Sequence, residues 1–301
     1  MAFRIVSIEN PAEVHVTNGQ LLVKQDDRSV TIPVTDMLML VVSGPNIRMS
    51  TMAQTLLADA HVIICHLGRN HHPAALTIPM VANARQTKVA YEQVGASQEL
   101  CDLLWQRIVT RKIENQARAL AILGLEGAEE VWAFSQNVLP GDVGNAEGAA
   151  ARAYFSHLHP GLNRRTDDPL NACLNYGYAI VRAIIARDLV TTGFIPAFGL
   201  HHHSQLNAFN LTDDMIEPYR PCVDLIASEV VTTAKRLSRE QRSRLRDAAF
   251  TAVHMRGRKV TLVNAAGIAA DSLRSAIAHE NPELLELPGL LEPETIDPVR
   301  V

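Results

Sequence analysis

The chain has 301 residues, of which 47% are hydrophobic and 20% charged, and this composition excludes a disordered protein. At this length, two domains are favoured over one. The formal net charge of −4, from 28 basic and 32 acidic side chains, taken alone argues against a nucleic-acid partner.

The first 90 residues alternate short apolar runs with turn signals. The runs at 3–8, 13–17, 21–23, 30–34 and 37–42 predict a meander of about five antiparallel strands. Asn18-Gly19 between two runs is a strong hairpin signal, because both residues tolerate positive φ. A helix over 50–60, a buried strand over 62–65 and a loop over 68–77 are expected to follow.

From about residue 90 onward the apolar spacing is helical. Helices are predicted from 103 to 120, 146 to 158, 170 to 189, 215 to 237, and, as a basic amphipathic helix, 238 to 254. The prolines after Asn281 predict a loosely held tail. The sequence therefore predicts an α+β fold, with a small β-rich domain over 1–90 and a larger all-α domain over 91–301.

Several protein classes are excluded by absent motifs. The four cysteines are at least 36 residues apart and form no CxxC pair, which excludes a zinc knuckle and a disulfide framework. No phosphate-loop, dinucleotide-binding, HExxH or GxSxG motif is present. Because the sequence shows neither a signal peptide nor an 18-residue apolar run, we expect a cytoplasmic protein without a membrane partner.

Three adjacent histidines, residues 201–203, are the most unusual local feature, because they cannot all face one core. Asp213, Asp214 and Glu217 follow at helical spacing, and Glu147 lies among small residues near a predicted helix start. Taken singly, the acids are explained as helix N-terminal charges and the histidines as a solvated loop. Together, two carboxylates and an imidazole predict a Mg²⁺ or Mn²⁺ site for phosphodiester chemistry.

Basic charge is concentrated between residues 231 and 260, where nine basic side chains face two acidic ones and leave −11 on the rest of the chain. Either a solvated helix face or a track for phosphates explains this segment. The candidate contacts to a DNA backbone are Arg164, Arg165, Arg239, Arg242, Arg246, Arg256, Arg258 and Lys259. Arg107, Arg111 and Lys112 would extend the track.

Residues 145–155, NAEGAAARAYF, resemble the N-x-E-G-x-A-A-R-x-Y-F signature of the CRISPR-associated adaptation endonucleases, or spacer integrases (the Cas-one family). Residues 168–178, 199–224 and 105–116 resemble further blocks of the same family. The likeness covers 105–224 in order. The sequence is most similar to members from type II systems, which have a single large RNA-guided effector nuclease.

The resemblance implies an enzyme of antiviral defence with a β-rich N-terminal domain for dimerisation and partner contact and a helical catalytic domain. It implies that Glu147, His202 and Glu217 are catalytic and bind Mg²⁺ or Mn²⁺, with Asp214 as an accessory acid. His202 is selected because the family places its histidine about 15 residues before the final acid, while the flanking His201 and His203 leave this choice open.

The resemblance also implies a reaction and its partners. The 3′-hydroxyl of a captured fragment would attack a repeat phosphodiester in double-stranded DNA, and water as nucleophile would nick DNA instead. The implied partners are a second copy of the chain, the smaller protein of the Cas-two family in a heterohexameric integration complex, and the RNA-guided effector nuclease. Two alternatives are a metallohydrolase acting on a non-nucleic-acid substrate and a catalytically silent DNA-binding scaffold.

Overall fold

The first 77 residues supply eight strands. The computed structural model describes residues 4–26, 28–44, 46–68, 73–79, 83–163, 166–234 and 236–291. The strands are Arg4–Ile8 (β1), Ala12–Thr17 (β2), Gln20–Gln25 (β3), Arg28–Ile32 (β4), Met37–Val42 (β5), Ile47–Met49 (β6), Ile63–Leu67 (β7) and Pro73–Thr77 (β8).

These strands form two sheets, in the orders β4-β3-β2-β6 and β1-β5-β7-β8. The β2–β3 hairpin is confirmed, since Asn18 and Gly19 both adopt positive φ at its turn. The prediction of a single antiparallel meander was wrong, because β1, β5 and β7 are parallel. The loop expected over 68–77 was wrong for residues 73–77, because β8 pairs antiparallel with β7; residues 69–72 lie outside the described residues. The run 37–42 is buried over five of its six residues, as in parallel strands covered on both faces.

Ten helices span the described part of the chain. They are Thr51–Asp59 (α1), Gln86–Gly95 (α2), Gln98–Ile122 (α3), Ala128–Ser135 (α4), Ala146–Leu158 (α5), Pro169–Thr192 (α6), Asn210–Met215 (α7), Arg220–Val230 (α8), Arg239–Asp247 (α9) and Leu262–Ala278 (α10). The predicted helices over 146–158 and 170–189 are confirmed. The helix predicted over 215–237 is shorter, because Pro218 and Pro221 divide its start and extended backbone begins at Val231.

The buried helix α6 lies at the centre of the main hydrophobic core. Helix α8 packs closely against it at Gly177, where an added Cβ would lie only 2.4 Å from Cγ1 of Val223. The same core continues onto the strands through Met39 and Ile63, while a second, smaller core fills the space around β2 and α1. These two cores place the strands and the helices in direct contact.

The C-terminal part contains a small sheet that the sequence analysis did not anticipate. Its strands are Ala252–Met255 (β9), Arg258–Thr261 (β10) and Gly289–Leu290 (β11), in the order β10-β9-β11. The basic helix predicted over 238–254 therefore ends early, at Asp247. Residues 281–291, which include β11, form an ordered C-terminal strap instead of the predicted loose tail. The α+β class is confirmed, with a mostly helical rather than all-α C-terminal part. No described helix is long and apolar enough to cross a membrane.

Candidate metal centre

Glu147 lies in the first turn of α5, and the residues before it shape this turn. The carboxylate of Asp142 accepts hydrogen bonds from the backbone N–H groups of Ala146 (2.8 Å) and Glu147 (3.1 Å). Asn145 adopts a left-handed conformation with φ of 53°, and an added Cβ at Gly148 would lie 2.5 Å from its Oδ1. The small residues around Glu147 thus permit a tight turn that leaves its own carboxylate outside the capping interactions.

Asp214 holds the histidine loop, residues 199–203, in place. Its fully buried carboxylate accepts the backbone N–H groups of Leu200 (2.6 Å), His201 (3.2 Å) and His202 (3.1 Å). It also pairs with Nδ1 of His202 at 2.6 Å. An added Cβ at Gly199 would lie 2.3 Å from the carbonyl oxygen of His202, so only glycine fits there.

The neighbouring histidines have different environments. The ring of His201 stacks on Trp105, with centroids 4.4 Å apart and planes 3° from parallel. The ring of His202 meets Trp105 edge-on, and its Nδ1 is engaged by Asp214. A hydrogen bond at Nδ1 leaves Nε2 as the nitrogen that can bind a metal, an arrangement common to metal-ligating histidines. This geometry favours His202 over His201 as the ligand.

Glu217 is the third predicted ligand and begins the short helical turn before α8. Its buried carboxylate lies 2.8 Å from Nε of Arg220 and 2.5 Å from Nζ of Lys112. Burial alone would raise the pKa of Glu217, but these two cations outweigh it and lower the pKa to about 2. Glu217 is therefore an anion at neutral pH despite its burial.

Lys112 joins the two predicted carboxylate ligands. Its Nζ lies 2.5 Å from Oε1 of Glu147 and 2.5 Å from Oε2 of Glu217, so these two oxygens are at most about 5 Å apart. The hydrogen bond with Asp214 raises the pKa of His202, and the negative charges of Glu217 and Glu147 raise it further. The fold thus brings the three sequence-predicted residues within electrostatic reach of one another.

The donor atoms suit a divalent cation, although a cationic side chain lies between them. No trio of His, Cys, Asp and Glu side chains within the described ranges is already arranged to hold a metal. The ammonium of Lys112 lies between the carboxylates of Glu147 and Glu217. Oε2 of Glu217 is buried and forms a close ion pair with Nζ of Lys112. Carboxylate oxygens and an imidazole nitrogen fit Mg²⁺ or Mn²⁺.

The sequence matches a known protein family over most of its length. The family model described as "CRISPR associated protein Cas1" matches residues 5–254. A CRISPR-associated endonuclease Cas1 from Neisseria meningitidis serogroup C (strain 8013) is 30% identical over 297 residues, which is 97% of each chain. The chain belongs to the Cas1 family.

Solved structures share the fold of this Cas1 family member. A casposase bound to integration product superimposes with a TM-score of 0.77 at 14% identity, over 93% of this chain and 92% of the casposase. A chain of a Cas6-RT-Cas1–Cas2 complex gives a TM-score of 0.73 at 18% identity, over 96% of this chain and 36% of that one. At these identities the likeness concerns the fold alone.

Sequence reasoning missed the residues that support the predicted ligands. Lys112 was assigned to a basic track, but it is buried and pairs with Glu147 and Glu217. Trp105 was treated only as part of a block that resembles the family, although its ring stacks on that of His201. A signal was available, because a lysine on the apolar stripe of a helix requires a buried negative partner.

The C-terminal strap also supports the site through Asn115. This fully buried residue of α3 donates to the carbonyl oxygens of Pro218 (2.7 Å) and Pro288 (3.0 Å). It accepts the backbone N–H of Leu290 at 2.9 Å. One side chain therefore fixes both the strap and the backbone that follows Glu217.

The candidate DNA contacts are divided between two environments. Arg239, Arg256, Arg258 and Lys259 are exposed, the last three at the β9–β10 hairpin. Arg242 and Arg246 are largely buried and face Glu9 of the N-terminal region, at 2.8 Å and 3.6 Å. Their burial removes them from the accessible surface, so they connect α9 to the strands. Arg164 and Arg165 lie outside the described residues.

Proposed function

We infer that this Cas1 family member is a DNA endonuclease and integrase that inserts captured DNA fragments as new spacers into a CRISPR array. Family membership carries this conclusion, with a curated endonuclease relative aligned over almost the whole chain. The fold shared with a casposase bound to integration product supports strand transfer as the reaction. Attack by the 3′-hydroxyl of the fragment on a repeat phosphodiester forms the new bond and releases a 3′-hydroxyl from the repeat.

The proposed metal ligands and catalytic residues are Glu147, His202 and Glu217. A bound Mg²⁺ or Mn²⁺ would supply acidification of the attacking hydroxyl and compensation of the charge that develops on the phosphate. Asp214 orients His202 by holding Nδ1 and by accepting the backbone N–H groups of residues 200–202. Lys112 and Arg220 together lower the pKa of Glu217, so that a carboxylate is present throughout the physiological pH range.

The proposed partners are double-stranded DNA and a protein of the Cas2 family, the latter by analogy with the solved Cas6-RT-Cas1–Cas2 complex. We further propose a homodimer that binds this partner in a heterohexamer and an association with the RNA-guided effector nuclease. Residues 1–90 would provide dimer and partner contacts, and residues 91–301 the catalytic domain. We propose a cytoplasmic location, because the reaction acts on a CRISPR array.

We propose that phosphates of the DNA backbone bind along the exposed basic residues of α9 and the β9–β10 hairpin. Exposed guanidinium and ammonium groups can neutralise backbone phosphates without reading sequence. The proposed contacts are Arg239, Arg256, Arg258 and Lys259, together with Arg164 and Arg165.

A strand-joining assay tests the function. The full chain and its small partner are mixed with a labelled duplex fragment and repeat-containing DNA, with Mn²⁺ or with EDTA. We expect metal-dependent joining by the wild type and none by Glu147→Gln, with folding and DNA binding retained. Glu99→Gln is the matched control, because Glu99 also lies in the first turn of a helix but is exposed.

Three results would contradict parts of this assignment. Joining by Glu147→Gln at the wild-type rate would refute the proposed ligand set. Hydrolysis of a non-nucleic-acid substrate without salt-dependent affinity for duplex DNA would favour the metallohydrolase. DNA binding without joining, with Glu147→Gln reducing only stability, would favour the silent scaffold.

A further inference from the structure

Lys112 occupies an unusual position for a basic residue of a proposed metal centre. Its buried ammonium contacts Oε1 of Glu147 and Oε2 of Glu217, each at 2.5 Å. It therefore neutralises one of two adjacent negative charges and holds together two carboxylates that belong to different segments. A single positive charge fills the gap in which the proposed function requires a divalent cation.

The ammonium and a divalent cation cannot share this gap. Both would contact the same two oxygens, and cations a few ångströms apart repel strongly where water is excluded. Arg220 has no such conflict, because its Nε contacts the other oxygen of Glu217, Oε1, at 2.8 Å. Binding of the metal therefore requires that Lys112 leaves while Arg220 stays.

The structure offers a place for the displaced ammonium. Oε1 of Gln116 is buried and lacks a hydrogen-bond donor among the residues that the structure describes. Gln116 lies four residues after Lys112 on α3, so the two side chains are neighbours on one helix face. Both line a pocket of about 250 Å³, whose wall also contains the carboxylates of Glu217 and Asp224 and the guanidinium of Arg220.

We propose that Lys112 is a displaceable counter-ion of the metal centre: its ammonium joins Glu147 to Glu217 in the metal-free protein and moves to Gln116 when a divalent cation binds. This inference rests on the proposed function, because it takes Glu147 and Glu217 as metal ligands. It explains how two buried carboxylates stay together before the metal arrives, and why a buried glutamine oxygen is left without a donor. Lys112 is thus a positioning residue.

Mn²⁺ binding to the full-length chain, measured by calorimetry without DNA, tests the proposal. Lys112→Met removes the competing cation but keeps the volume of the side chain. We expect about tenfold tighter Mn²⁺ binding, equivalent to about 1.4 kcal/mol, together with a lower Tm in EDTA and a larger rise of Tm on adding Mn²⁺. Lys88→Met is the control, because Lys88 is exposed and pairs with Glu92 on its own helix; its Mn²⁺ affinity should be that of the wild type.

A second variant tests the destination of the ammonium. Gln116→Met removes the acceptor while Lys112 remains, and we expect weaker Mn²⁺ binding with little change of Tm in EDTA. In the Lys112→Met/Gln116→Met double variant this weakening should disappear, because no ammonium needs a new position. Persistence of the weakening would refute the move to Gln116.

The outcomes separate this inference from the proposed function. Unchanged or weaker Mn²⁺ binding by Lys112→Met refutes the counter-ion role, provided that the wild type binds Mn²⁺ and Glu147→Gln does not. Should the wild type bind no Mn²⁺, or Glu147→Gln bind it as well as the wild type, the proposed metal centre itself fails.

Discussion

Replacing Asp214 by alanine would remove the common acceptor of four hydrogen bonds. Three come from the backbone N–H groups of Leu200, His201 and His202, and the fourth from the ring of His202. Leu200 is buried, so its N–H would be left without water, at a cost of about 1 to 3 kcal/mol. The exposed histidine groups can bind water, and losing their charge-assisted bonds costs about 1 kcal/mol each. We expect a total destabilisation of about 4 to 6 kcal/mol.

Urea unfolding followed by circular dichroism measures this loss, and a fall of Tm by about 8 °C or more should accompany it. The pKa of His202, which Asp214 raises, should also fall towards its ordinary value in a proton NMR titration. Asp213→Ala is the matched control, because this neighbouring carboxylate is part-exposed and pairs with the part-exposed Arg182; it should cost about 1 kcal/mol. A loss below about 1 kcal/mol for Asp214→Ala would refute the account of the loop.

Two further perturbations test interactions away from the ligands. Arg242→Met should destabilise the protein by about 2 kcal/mol at pH 7, because Glu9 loses its nearer cation and keeps Arg246 at 3.6 Å, and because the carbonyl oxygen of Leu237 loses a donor. Arg244→Met, at an exposed pair, should cost less than about 0.5 kcal/mol. The pKa of Glu9 is lowered in the folded state despite burial, so the stability from this pair is present above the ordinary pKa of 4.5 and is lost as the pH falls through the folded pKa. In urea unfolding, the stabilities of the wild type and Arg242→Met should therefore converge in acid. Asn115→Leu should cost about 3 kcal/mol and expose the C-terminal strap to limited proteolysis, because three buried backbone groups lose their partner; resistance equal to the wild type would contradict this role.

The elements that sequence reasoning predicted well are those with a strong local signal. Asn18 and Gly19 tolerate the positive φ of a tight hairpin, so their turn could be identified without any partner. Helices α5 and α6 follow from apolar spacing over many residues. By contrast, the direction of β5 depends on β1 and β7, which lie elsewhere in the chain, and a continuous apolar run is compatible with either direction.

The sequence by itself determined the α+β class, the family resemblance and the three proposed ligands, because each depends on residue types at fixed spacing along the chain. Only the tertiary structure decided how the charges pair. It placed Lys112 between Glu147 and Glu217, and buried Arg242 against Glu9, although sequence reasoning had assigned both cations to a DNA track. The physical reason is that a charge interacts through space over a few ångströms, and the residues that meet here are separated by 35 to 233 positions in the chain.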